Sequence, residues 1–164
     1  MDLGKTTKNV SFLITGLKGC GKSTLIKKIA QVDLSKTKVD GESAEVYASN
    51  NVKITAMCLP KKVSKDFLSI FNGIIYVVDR DIKTKEHNSL GTNFLSMFND
   101  DGETKIPVAV VINKTDIKKS SNTEQTLKSA LSFADVEENN VQLFKCSAKN
   151  GEGIKEFISW LLKF

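Results

Sequence analysis

Cysteine, histidine and arginine are scarce in this chain of 164 residues: there are three cysteines, one histidine and one arginine. The cysteines, Cys20, Cys58 and Cys146, are too few and too scattered for a metal knuckle or a disulfide framework, and they read as reduced thiols. The lone histidine, His87, begins a helix-like stretch far from every motif below, which suits a surface or capping role better than a general base. No apolar run approaches the length that spans a bilayer, and the opening MDLGKTTKN is too polar for a secretory signal. Asp2 and the closing WLLKF lack the marks of N-myristoylation and prenylation. The expectation is therefore a cytoplasmic protein with no membrane anchor of its own, brought to membranes only by a partner. Aromatic residues are not interleaved with the lysine clusters Lys27-Lys28, Lys61-Lys62-Lys65 and Lys118-Lys119. With no continuous basic stripe, the net charge of +5 reads as a solvated surface and not as a nucleic-acid footprint.

What is present suits one domain over residues 1–164, with enough apolar content for a real core. Strand-like apolar runs alternate with amphipathic stretches from end to end, the pattern of an α/β domain with a mostly parallel sheet. Continuous β-rich runs at 10–15, 52–58, 74–78 and 108–112 predict strands buried on both faces. A shorter strand is expected at 141–145, and the alternating residues 45–48 read as an edge strand followed by a tight turn. Helices are expected at 22–32, 65–71, 87–98, 123–134 and 154–162. In the last of these Ile154, Phe157, Ile158, Leu161 and Leu162 share one face, and Trp160 falls off that stripe as a half-buried packing residue.

The stretch GLKGCGKST, Gly16 to Thr24, follows the first strand and opens the first helix, and it matches the phosphate-loop pattern G-x-x-x-x-G-K-S in full. Glycines let successive N–H groups turn inward, and the helix N-terminus adds positive dipole at the same place. Lys22 is expected on the β- and γ-phosphates, Ser23 on Mg²⁺ and Thr24 on the α-phosphate, with Gly19 and Gly21 shaping the loop. Cys20 reads as a small space-filling residue, while the Lys18 ammonium lies either over the terminal phosphate or in solvent.

A phosphate loop does not choose between ATP and GTP. After VAVVI stands Asn113-Lys114-Thr115-Asp116, and after the next strand stands Ser147-Ala148-Lys149. An aspartate at a strand end accepts two hydrogen bonds from guanine N1 and N2, whereas adenine presents the reverse pattern and would leave Asp116 unpaired. The Lys114 stem would cover a face of the base, Asn113 would tie this loop toward the phosphate loop, and the Ala148 N–H would meet guanine O6. One Asn-Lys-x-Asp string is a common polar turn; three motifs in order at strand carboxyl ends are a far more specific signal.

With GLKGCGKS, NKTD and CSAK in these places the chain resembles small GTPases of the Ras superfamily over nearly its whole length. IYVVDR and SAKNGEGIKEFISWL look closest to the Arf-like branch, which includes the β-subunit of the signal recognition particle receptor. The resemblance implies a P-loop NTPase three-layer sandwich with a six-stranded, mostly parallel sheet and about five helices, binding GTP or GDP with Mg²⁺. It also implies protein partners, in a monomer or a heteromeric complex. Such GTPases carry Asp-x-x-Gly after the third strand, where this chain has Cys58-Leu59-Pro60-Lys61, and Lys62 stands where many relatives have a water-orienting Gln. Counting back from the strand pairing puts Val39 where the family needs a Mg²⁺-binding threonine, with Thr37 two residues early and Gly41 matching the glycine that follows. No catalytic residue is therefore assigned.

Three functions compete at this point. The first is a guanine-nucleotide binder that hydrolyses slowly or not at all and acts through protein partners. The second is a GTPase switch completed by a partner, with Lys18, Lys61 or Lys62 neutralising transition-state charge. The third is a nucleotide kinase, disfavoured because such enzymes clamp two substrates with several arginines and because NKTD would go unexplained.

Overall fold

Alternating residues of the central strands point to opposite faces, so a strand that is apolar throughout must be covered on both sides. This decides the architecture. The computed structural model describes residues 9–30, 35–39, 42–48, 52–58, 65–81, 90, 94, 106–115 and 140–164. Seven strands lie among them: β1 Val10–Gly16, β2 Ser35–Val39, β3 Glu42–Ala48, β4 Val52–Ala56, β5 Gly73–Asp79, β6 Val108–Asn113 and β7 Val141–Lys145. They form one sheet in the order β2-β3-β4-β1-β5-β6-β7. The β4, β1, β5, β6 and β7 neighbours pair in parallel, whereas β3 is antiparallel to both β2 and β4.

Phe12, Ile14, Ile54, Ile75, Val77, Ala109 and Val111 point to one face, where they pack with helices α1 (Lys22–Ala30) and α3 (Ile154–Leu161). Leu13, Ile74, Tyr76, Val78, Val108, Val110 and Ile112 point to the other. There they meet Leu68 of helix α2 (Lys65–Ser69), together with Phe71 and the helical residues Leu90 and Phe94. Tyr76 is fully buried in that layer and donates its hydroxyl to the Leu90 carbonyl at 3.3 Å. The mostly parallel α/β sheet expected from the strand pattern is thus present, in the three-layer sandwich that the resemblance implies.

Three details differ from the expectation. The sheet has seven strands and not six, because Ser35–Val39 folds back on β3 in the register Ser35↔Val46 to Val39↔Glu42. Residues 45–48 consequently sit inside the sheet, between β2 and β4, and β2 takes the edge. Trp160 is buried and not half-buried: Phe12, Phe144, Phe157 and Phe164 surround it, with ring centroids between 4.9 and 6.4 Å away. The helix expected at 123–134, most of that at 87–98 and the turn at 49–51 lie outside the described residues. Among the described residues no helix is long and apolar enough to cross a membrane.

Phe157 is fully buried and stacks on Trp160 with an interplanar angle of 13°. Phe157→Ala should destabilise the fold by about 3–5 kcal/mol, read as a lower midpoint in urea unfolding followed by Trp160 fluorescence.

Candidate functional site

Parallel register brings the carboxyl ends of β1, β5, β6 and β7 to one rim. Gly16 pairs with Val77, Asp79 with Asn113, and Ile112 with Lys145. All three sequence motifs leave from that rim.

The phosphate-loop motif links β1 directly to α1. Gly16 and Gly21 have φ of 149° and 97°, a region L side chains avoid. A Cβ on Gly16 would also collide with the Val77 carbonyl oxygen, and one on Gly21 with the Asn113 carboxamide. Only glycine fits at either place. The first turn of α1 contains no acid, although the helix dipole favours one there, and its last turn carries Lys27 and Lys28. This leaves the N-terminus open to an external anion. The Lys22 ammonium donates to the carbonyls of Gly16 at 3.1 Å and Leu17 at 3.2 Å and lies 3.7 Å from the Cys20 sulfur. None of these partners is a carboxylate, so its charge remains available to a phosphate. Lys18, Gly19 and Thr24 are exposed, Gly21 and Ser23 are half-buried, and Cys20 is buried in the core beneath the loop.

Asn113, at the end of β6, is 2% exposed and joins all three loops. Its Nδ2 donates to the Cys20 carbonyl at 3.0 Å, and its Oδ1 accepts the Ala148 N–H at 3.0 Å. The expected tie from Asn113 to the phosphate loop is present. The Ala148 N–H, however, already has an acceptor, so a base oxygen would meet it as a second one. Two backbone bonds lock the base loops together, Cys146 N–H to Ile112 O at 2.9 Å and Thr115 N–H to Cys146 O at 3.2 Å. Ser147 is buried; its N–H donates to Glu152 O, its carbonyl accepts the Gly151 N–H and its Oγ accepts the Asn150 N–H. Lys149 is exposed, and Asp116 lies outside the described residues.

Lys114 adopts a left-handed φ of 66°. Its ammonium spans the rim to Gly19 O and Asp79 Oδ2, both at 2.7 Å. The sequence motifs assign neither Asp79 nor Arg80 to the site. The Arg80 N–H donates to Asn113 O at 3.1 Å and its Nη1 to Thr115 O at 3.0 Å. The signal that would have found both is register, since Asp79 stands opposite Asn113.

The motifs imply two groups, a nucleotide phosphate and a divalent cation. A nucleotide phosphate fits the glycine cradle, the acid-free helix start and Lys22. A divalent cation finds less: Ser23 offers one hydroxyl, and no group of three or more His, Cys, Asp or Glu side chains converges among the described residues. Cys58, exposed just beyond β4, supplies no carboxylate; Leu59, Pro60, Lys61, Lys62, Gly41 and His87 lie outside the described residues.

Burial pushes the Cys146 thiol up to about 12, and burial also raises that of Cys20 despite the nearby Lys22 ammonium. At pH 8 the Cys146 thiolate, the reactive form, is therefore scarce. Iodoacetamide at pH 8 should therefore label native protein at Cys58, with Cys20 and Cys146 reacting only after denaturation, as mass spectrometry would show. Asn113→Ala would strand the buried Cys20 carbonyl and Ala148 N–H, and should cost about 2 kcal/mol of stability in denaturant unfolding.

Comparison with known proteins bears on the same architecture. The chain is 25% identical to ADP-ribosylation factor-like protein 3 of Chlamydomonas reinhardtii, covering 98% of this chain and 93% of that one. It is 29% identical to ADP-ribosylation factor-like protein 1 of Caenorhabditis elegans, and 26% identical to the protein of that name from Drosophila melanogaster. Each of these two alignments covers 94% of this chain and 88% of the relative. Residues 1–164 also match the ADP-ribosylation factor family as a whole, and the chain belongs to that family of GTP-binding small GTPases.

Proposed function

We propose that this protein is a guanine-nucleotide binder that hydrolyses GTP slowly or not at all and acts by presenting a surface to protein partners. Members of the ADP-ribosylation factor family bind GTP or GDP, generally with Mg²⁺, and generally act with effectors and regulators. The observation that carries the reading is the Asn113 bridge, which holds the phosphate loop and both base loops as one unit. The family match over residues 1–164 supports treating the chain as a single G domain.

In this reading Lys22 and the loop N–H groups take the phosphates, with Gly19, Cys20, Gly21 and Thr24 contributing backbone, and Ser23 holds the metal. Asn113, Lys114 and Asp116 take the base side with Ser147, Ala148 and Lys149. Bound Mg²⁺ would neutralise phosphate charge. Hydrolysis needs more: groups that orient a water and support the metal, worth orders of magnitude in rate. Cys58 and Lys62 stand where those groups belong, and neither side chain performs their roles. Even intact small GTPases without a partner turn over on the order of 10⁻⁴ per second. A partner that supplied the missing groups would convert the same site into a working switch; Lys18, exposed in the phosphate loop, is the described cation placed for that reading.

Titration calorimetry should show GDP and GTP binding and ATP at least about 100-fold weaker, because Asp116 would be left unpaired against adenine. Lys22→Ala should abolish the heat. Single-turnover assays should find [γ-³²P]GTP intact after hours with or without Mg²⁺. Appreciable Mg²⁺-dependent cleavage by the isolated protein would overturn the slow-hydrolysis part, and preferential ATP binding the guanine part.

A further inference from the structure

The carboxylate of Asp79 is used at both oxygens. Oδ1 accepts the Asp81 N–H at 2.8 Å, closing a local turn, and Oδ2 pairs with the Lys114 ammonium at 2.7 Å. The first bond orients the carboxylate, and the second spends that orientation on a residue 35 positions away. Lys114 has three ammonium hydrogens, two of which are committed to Asp79 Oδ2 and Gly19 O. Its four-carbon stem is therefore stretched from the end of β6 to the phosphate loop as a fixed bar. A free lysine side chain is long, flexible and strongly hydrated, and its backbone resists a left-handed φ. Without an anchor, that side chain would have to be ordered each time a ligand bound.

We propose that Asp79 is a positioning residue of the nucleotide site, acting through Lys114: the Asp79–Lys114–Gly19 clasp pre-orders the lysine stem as a wall for the base and fixes the phosphate loop relative to it. This rests on the guanine-nucleotide reading above. Arg80 reinforces the clasp by holding the carbonyls of Asn113 and Thr115 on either side of Lys114. The half-exposed setting of the pair, 33% for Lys114 and 27% for Asp79, marks it as a modest contributor to folding but a sufficient one for pre-organisation.

Two variants separate this role from the turn. Asp79→Asn and Asp79→Ser both keep an oxygen for the Asp81 N–H and remove the charge facing Lys114, and two variants guard against one failing to fold. Each should bind GDP about fivefold more weakly than the wild type, the loss appearing in the dissociation rate. In a Lys114→Met background, which keeps a stem but has no ammonium, neither should cause any further loss. A purely structural Asp79 would give the same loss in both backgrounds, and that result overturns the proposal. So does wild-type-like affinity, within about twofold, in the single variants. A second readout needs no nucleotide: competitive acetylation with acetic anhydride, quantified at Lys114 by mass spectrometry, should rise in the Asp79 variants, and an unchanged rate overturns the clasp. If the wild type itself binds no guanosine nucleotide, the functional reading falls and takes this inference with it. That outcome is distinct from a wild type that binds GDP while the variants bind it equally well.

Discussion

One buried carboxamide, that of Asn113, is the point on which the candidate site depends. A parallel sheet delivers several strand ends to one rim, but strand ends alone leave loops free to spread, because nothing in the ladder extends beyond the last paired residue. Asn113 is the last residue of β6 and has a donor and an acceptor on one rigid plane. It uses the donor on the phosphate loop and the acceptor on the loop after β7, so three segments remote in sequence share one geometry. Because the group is buried, each of these bonds is expensive to break without replacement. Gly21 is part of the same constraint: its missing side chain is the space the carboxamide occupies.

The electrostatics follow from this packing. The helix after the phosphate loop starts without an acid, and Lys22 rests on carbonyl oxygens, so positive potential is concentrated where the loop N–H groups point. On the base side the positive charge of Lys114 is paired with Asp79. The site is thus divided into a half that keeps its charge for a ligand and a half whose charge is already matched. Gripping a nucleotide draws on the first half and on shape. Cleaving one needs further groups, which orient a water and support a metal. Binding and turnover are separable in such a design because they use different atoms.

Much of this was legible in the sequence, for identifiable reasons. VSFLIT, IIYVV and VAVVI read as fully buried strands because both their faces are apolar, and the structure covers both. The phosphate loop was legible because its glycines serve local backbone needs that any fold would impose. Ser35–Val39 was not, since SKTKV carries no apolar alternation and becomes a strand only through pairing with β3. The burial of Trp160 was not legible either: its helical stripe excludes it, and three of the four rings around it come from outside its helix, from β1, β7 and Phe164.

The sequence by itself determined the strand-loop-helix of the phosphate-loop motif and the double-faced burial of the central strands, each set within a few residues of chain, and the order of the three motifs along it. Only the tertiary structure decided that β2 closes the sheet edge, that Asn113 joins the three loops and that Asp79 and Arg80 belong with the base loop. The bonds that tie Asn113, Asp79 and Arg80 across the rim link residues from 33 to 93 positions apart. Such pairings carry no local signature, because what selects them is the parallel register that sets one strand end beside another.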